Sequence, residues 1–262
     1  MRAIQRLGER LTLALLRRVG PRADDDFAAR ALYVAGQPAV ERQLDRLADG
    51  DVLVVRDGPF KGLRLPRRTS GTALAAKVWG TYERQLYPLI ESAIAKRPAT
   101  VVNVGCGDGY YLNGLAMRLP ATHCIGYDTS PIARADCGRV AALNGLTVAV
   151  HGMATPDLLQ GDLAGGALLI VDIEGAELDL LDPAKIPALR DATMLLETHD
   201  SIAPGTTDGL IARFATTHRA IVLDQEVTLP AGMNDAPEIV RLANVCEYRG
   251  DTQRWLFFTP HG

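Results

Sequence analysis

Hydrophobic positions recur with a helical period in the first part of the chain and then pass into an alternation of strand-like and helix-like runs. Ile4, Leu7, Leu11, Leu15 and Val19 are spaced by three and four, which predicts an amphipathic helix over 1–19 that Gly20-Pro21 ends. A second helical pattern covers about 24–48. It opens on Asp24-Asp25-Asp26, where acids suit a helix N-terminus, and closes at Gly50. The period then changes. Val52–Val55 and Leu63–Leu65 are β-rich, and the turn-rich Asp57-Gly58-Pro59-Phe60-Lys61-Gly62 between them predicts a hairpin. Residues 73–96 read as one helix with Trp79, Tyr82, Leu86 and Ile90 on a shared stripe.

From residue 99 onward, strands are predicted at 100–104, 123–128, 147–151, 167–173, 192–199, 219–226 and 253–259. Helices are predicted at 110–118, 131–143, 175–181, 207–217 and 236–247. Ser130-Pro131 supplies an N-cap followed by proline at the first helical position. This alternation predicts an α/β fold, a doubly wound Rossmann-like and mostly parallel sheet with helices on both faces. Ligands of such sheets bind beyond the C-terminal ends of the strands. The chain divides into a helical and hairpin extension, 1–97, and an α/β core, 98–262.

Composition narrows the function classes. Hydrophobic residues make up 47% and charged residues 23%, the balance of a folded globular protein. No apolar run approaches the roughly 20 residues of a membrane-spanning helix. A net charge of −3 gives no general attraction to nucleic acid, and no basic stretch interleaved with aromatics is present. The cysteines at 106, 124, 137 and 246 form no C-x-x-C pair, and scattered thiols suit a reducing compartment. Arg17-Arg18 follows the first apolar stretch where a secretory cleavage pattern would stand, so a cytoplasmic protein is expected. Residues 1–19 carry five arginines against one glutamate. Packing against 24–48 or a second copy of the chain is the expected fate of this helix, and an anionic membrane surface is the competing one.

Residues 101–110 read Val-Val-Asn-Val-Gly-Cys-Gly-Asp-Gly-Tyr, an apolar strand running into glycines 105, 107 and 109 and then a helix. Glycine there permits a sharp turn and close approach of a ligand to the backbone. The dinucleotide fingerprint requires a third glycine where Tyr110 stands, which weakens a nicotinamide-dependent oxidoreductase reading. Asp128 ends the next strand, 19 residues after Gly109. An acid at that place can accept two hydrogen bonds from a ribose diol; otherwise it is a turn or cap residue.

Val101–Tyr110 together with Asp128 resembles the first two motifs of class I S-adenosylmethionine-dependent methyltransferases. Gly58–Gly62, Gly80-Thr81-Tyr82-Glu83 and Val171-Asp172-Ile173-Glu174-Gly175-Ala176-Glu177 resemble the FkbM-like members, and Gln253–Leu256 fits them more loosely. The resemblance covers roughly residues 50–260. It implies a seven-stranded sheet whose last strand is antiparallel. It also implies S-adenosyl-L-methionine as cofactor, with methyl transfer to an oxygen, less readily a nitrogen, of a sugar, polyketide or other small-molecule acceptor. The cofactor contacts it implies are Asn103, Gly105, Cys106, Gly107, Asp108, Gly109, Asp128, Met153, Asp172 and Glu83. Two positions depart from the pattern. Asn103 stands where an acid is common, and Asp108 or Glu83 would then supply the charge for the methionine ammonium. His151-Gly152-Met153-Ala154 stands where Asp-Ala is often found, leaving Met153 as an adenine contact or as a core-filling residue.

Asp172 follows the apolar run 167–171, and Glu174 is two residues on; Glu197 and His199 end the next strand. Residues i and i+2 share a strand face, and neighbouring strands lie about 4.8 Å apart, so these four side chains are expected to converge. Three readings stay open. His199 is a general base oriented by a carboxylate of Asp172 or Glu197. Alternatively, Asp172, Glu174, Glu197 and His199 bind Mg²⁺ or another divalent ion. In the third, Glu174 and Glu177 favour a helix N-terminus and His199 closes a strand. His123, His151, His218 and His261 are read as structural. A non-catalytic cofactor-binding or interaction protein on the same fold is the rival from a different class.

Overall fold

A computed structural model describes residues 25–226, 229, 238–245 and 253–261. The helix expected at 1–19, and Cys246, lie outside the described residues. Helix α1 (Asp25–Leu47) precedes an antiparallel hairpin, β1 (Val52–Val54) and β2 (Arg64–Pro66). Then come α2 (Leu74–Trp79) and α3 (Tyr87–Ala95). The α/β part runs β3 (Thr100–Val104), α4 (Tyr110–Arg118), β4 (His123–Tyr127), α5 (Pro131–Asn144), β5 (Ala149–His151) and α6 (Pro156–Asp162). It continues with β6 (Leu168–Val171), α7 (Glu177–Leu180), β7 (Thr193–Thr198), α8 (Thr206–Phe214), β8 (His218–Asp224), α9 (Glu238–Val245) and β9 (Arg254–Pro260). Among the described residues, no helix is long and apolar enough to cross a membrane.

The seven-stranded sheet has the order β5-β4-β3-β6-β7-β9-β8. Only β9 is antiparallel, lying between β7 and β8. The winding reverses between β3 and β6, and that crevice is where ligands of such sheets bind. Register sharpens the point. Val104 pairs with both Tyr127 and Val171, so Gly105, Asp128 and Asp172 leave three adjacent strands at one level.

Local chemistry explains most boundaries. Ser130 caps α5 by accepting from the Ala133 amide at 3.3 Å, and Gly145 at φ 63° ends it. The same signature, Thr155-Pro156, starts the short α6, which the hydrophobic pattern alone does not reveal. The single helix expected at 73–96 is broken. Gly80, at φ 69°, ends α2, and a Cβ there would meet the Asp57 carbonyl at 2.4 Å. Glu83 at φ 47° and a 3₁₀ turn at 84–86 follow before α3 begins. Trp79, Tyr82, Leu86 and Ile90 remain buried, although they no longer share one helix face.

Two apolar layers flank the sheet. One joins Val102, Val104, Leu169, Val171, Met194 and Leu196 to Leu159, Leu163, Leu210 and Phe214. The other joins Val101, Ile170, Leu195 and Trp255 to the hairpin, to α2 and α3, and to Leu112 and Leu115 of α4. Phe60 from the hairpin loop meets Tyr110 and Tyr111 edge-on, with ring centroids 5.2 and 5.9 Å away. Gly114 lies beneath it: a Cβ there would come within 2.4 Å of the Phe60 ring. Helix propensity alone gives Gly114→Ala a gain of about 1 kcal/mol. Overpacking against Phe60 is expected to reverse that sign, with a net loss of about 1–3 kcal/mol in urea unfolding.

Candidate functional site

The glycine loop is built by backbone conformations that other residues rarely adopt. Gly105, Gly107 and Gly109 have φ of 75°, 53° and 82°. A Cβ at Gly105 would lie 1.7 Å from the Asp172 carbonyl oxygen, so only glycine lets β3 and β6 end this close together. The amides of Gly105 and Cys106 both donate to the Tyr127 carbonyl, at 2.8 and 3.0 Å. Asp128 closes the loop: Oδ2 accepts from the Gly107 amide at 2.9 Å and Oδ1 from the Ser130 amide at 2.8 Å. One carboxylate thus fixes both the loop and the start of α5.

Two clefts open here. The larger, about 620 Å³, is lined by Gly105, Asp128, Met153, Asp172 and Glu174 among others. Met153 is 69% exposed on its wall, so it does not fill the core. The smaller, about 200 Å³, is lined by Lys77, Asn103, Cys106, Asp108, Tyr110 and Trp255. Gly105 and Asp172 belong to both.

Asp108 has a partner that sequence reasoning did not find. Lys77 Nζ sits 3.0 Å from each of its carboxylate oxygens, with both side chains buried. The ammonium also lies 5.2 and 5.5 Å from the ring centroids of Tyr82 and Tyr110. The charge of Asp108 is therefore balanced within the protein. Glu83 is buried and bonded to the Tyr111 hydroxyl, so it meets the smaller cleft through that ring. Burial, and then Glu83, hold the Tyr111 phenol well above its usual range. Cys106 is buried, and hydrogen bonding to the free Cys137 thiol, with burial added, raises its own thiol far above the ordinary value, which suits a wall residue rather than a nucleophile.

The second centre surrounds His199. Its Nδ1 is 2.8 Å from Glu177 Oε1, and its Nε2 is 3.5 Å from Asp172 Oδ1 and 3.4 Å from Glu174 Oε2. Glu177 is fully buried, and Oε1 also accepts from the amides of Gly175 at 3.1 Å and Ile173 at 3.4 Å. Burial raises the Glu177 pKa, but the bonds from His199 and the Gly175 amide outweigh it and lower the net value. Burial lowers the His199 pKa, while the Glu177 bond and the charges of Glu177, Asp172 and Glu174 raise it on balance.

The convergence expected at 172–174 and 197–199 has a different origin from strand alternation. β6 stops at Val171 and β7 at Thr198. Glu174 then adopts φ 55°, a conformation costing a non-glycine residue about 1–3 kcal/mol, and turns back over His199. Glu197 stays inside β7, buried opposite Trp255, and is not part of the group around His199. Glu177 takes the orienting place instead. The signal for it was a carboxylate three residues beyond Glu174, which reads from sequence as an ordinary helix-start charge. His218 is buried with Nε2 3.0 Å from the Ala192 carbonyl.

No family model matches the chain, and no curated protein matches it in sequence. Among solved structures it is similar to the ribosomal protein L11 methylase from Lactobacillus delbrueckii subsp. bulgaricus, at 20% identity and TM-score 0.45 over 69% of this chain and 79% of that one. It is similar to the O-methyltransferase TomG from Streptomyces achromogenes in complex with SAM, at 14% identity and TM-score 0.45 over 71% and 90%. Cofactor-bound Rv0187 from MTB aligns over 94% of this chain and 95% of its own, at 15% identity and TM-score 0.46. These are likenesses of chain path.

Removing one partner of a buried ion pair leaves an uncompensated charge. Lys77→Met is expected to cost about 3–5 kcal/mol in urea unfolding. Asp108 Oδ1 also accepts from the Tyr110 amide at 3.3 Å, so adding Asp108→Asn, which keeps that acceptor without the charge, should restore most of the loss. Equal losses in the single and double variants would mean that Lys77 acts through packing alone.

Proposed function

We propose that the protein is a class I S-adenosylmethionine-dependent methyltransferase that methylates an oxygen, in preference to a nitrogen, of a small-molecule acceptor. The observation that carries this reading is the union of the glycine loop with Asp128 at the switch point of the sheet. The residues present fit the cofactor. Each Asp128 oxygen makes one backbone bond and keeps a lone pair for a ribose hydroxyl. The larger cleft, with Met153 on its wall, has room for a nucleoside. The smaller cleft offers Asn103 beside the balanced Lys77–Asp108 pair, a neutral set of donors and acceptors that suits a zwitterionic amino-acid end.

When bound, the cofactor supplies a methyl group made electrophilic by its sulfonium. The chain's own residues do the rest. Asp128 holds the diol, and Gly105 lets the backbone approach. Asp172, on the wall shared by the two clefts, borders the point where acceptor and methyl group meet. Most of the acceleration comes from alignment of the two reactants. The acceptor's hydroxyl faces the group formed by Asp172, Glu174 and His199, whose ring Glu177 keeps in one orientation, and its proton leaves to solvent water beside that group. The three described cysteines are unbridged, in keeping with a reducing, cytoplasmic setting.

The wild-type protein is expected to bind S-adenosylhomocysteine in calorimetry and to leave NAD unbound. Asp128→Ala removes two charge-assisted bonds worth about 1.5–3 kcal/mol each at most, and should weaken that binding about tenfold or more. Unchanged affinity in the variant, or binding of NAD alone, overturns the assignment.

A further inference from the structure

We propose that Asp172, Glu174 and His199 form a site for one divalent cation of the borderline class, with Mn²⁺ as its probe ion. The site itself stands on geometry alone; what the ion does there rests on the methyl-transfer reading.

One ligand atom from each residue lies within 4.8 Å of the other two, and His199 Nε2 is 3.4–3.5 Å from both carboxylates. An octahedral ion with bonds of about 2.1 Å holds neighbouring ligands about 3 Å apart, so a small contraction of the exposed Glu174 side chain closes the set. The independent observation is His199. Its side chain is 1% exposed, and Nε2 points into this group without a hydrogen-bond partner. Its other ring nitrogen is committed. Glu177 Oε1 already accepts from two backbone amides, so it is an acceptor for a proton on Nδ1. Nε2 therefore faces two carboxylates from a buried position, and a divalent cation between the three groups takes the Nε2 lone pair in place of a proton.

The surroundings agree. A carboxylate holding the far nitrogen of a histidine is the usual support of an imidazole ligand, and Glu177 supplies it. The left-handed turn at Glu174 gives that support a reason, because it carries the third ligand back over the ring. The donor set also selects the ion. Two carboxylates suit hard cations and neutralise a double charge, while an imidazole favours softer ones, so the mixture shifts the preference from Mg²⁺ toward Mn²⁺, Fe²⁺ or Zn²⁺. Glu174 is 72% exposed and Asp172 34%, which leaves the remaining coordination positions on the cleft side. An ion there orients the acceptor hydroxyl and lowers its pKa. The O–H proton passes to solvent water, and the oxygen is held for bonding to the methyl carbon as the carbon–sulfur bond breaks.

The test is a titration of the full chain with Mn²⁺, followed by loss of the free-ion EPR signal, with pulsed EPR for nitrogen coupling. One saturable site with a histidine nitrogen coupling is expected. Glu174→Gln, on an exposed side chain, should weaken binding about tenfold or more, and Glu177→Gln about 10–100-fold. His199→Gln should abolish the nitrogen coupling. Absence of saturable Mn²⁺ binding in the wild type overturns the site, as does binding without nitrogen coupling or binding that Glu174→Gln leaves unchanged. S-adenosylhomocysteine calorimetry on the same samples separates the two proposals. A protein that binds the nucleoside but not Mn²⁺ loses the ion site alone. One that binds Mn²⁺ but not the nucleoside loses the methyl-transfer reading and keeps the ion.

Discussion

The architecture turns on the close approach of β3 and β6, where the Asp172 carbonyl occupies the space that a side chain at Gly105 would need. Because Val104 pairs with both Tyr127 and Val171, three strands release their chains at one level. Three parts of the site are hung from those exits: the glycine loop from β3, Asp128 from β4, and the Asp172–Glu177 turn from β6. A one-residue slip of any of these strands would flip its buried side chains to the opposite layer, so two apolar layers enforce the register that the site requires.

The N-terminal hairpin and helices serve the same geometry from one side. Phe60 packs on the first turn of α4, which starts directly after the glycine loop. Lys77 reaches from α2 into the loop itself and balances Asp108. The apolar layer that contains these contacts runs without interruption from the hairpin to Trp255 in β9. Segments before residue 97 therefore act as a wall of the smaller cleft as well as a cover for the sheet.

Much of this was legible in the chain because it is local. Strand β3 and helix α4 fall at the predicted positions, since an apolar run, three glycines and a helical period follow one another without ambiguity. The Ser130-Pro131 start of α5 is equally local. What escaped is nonlocal or too short to show a period. The break at Gly80 is hidden because its flanking apolar residues stay buried on either side of it. Thr155-Pro156 opens a helix of only seven residues. Lys77 finds Asp108 across 31 positions and Glu177 finds His199 across 22, pairings that no spacing rule encodes. Asp172 and His199 do meet, just beyond the ends of adjacent strands, and Glu174 joins them through a left-handed turn and not through persistence of the strand.

The position of β9 bears on how the molecule is made. Ribosomal synthesis delivers β7 and β8 well before β9, yet β9 is the strand that joins them. Until it emerges, β7 shows an open edge and β8 has no neighbour in the sheet. Trp255, which lines the smaller cleft, arrives on that same strand. The nascent chain can thus assemble its glycine loop and first parallel strands early, while the cleft beside them stays unfinished. Pairing strands this far apart in sequence is slow compared with local helix formation. A ribosome that stalls before residue 254 would release a chain with an exposed sheet edge and no finished cleft, a species suited to capture by chaperones and proteases.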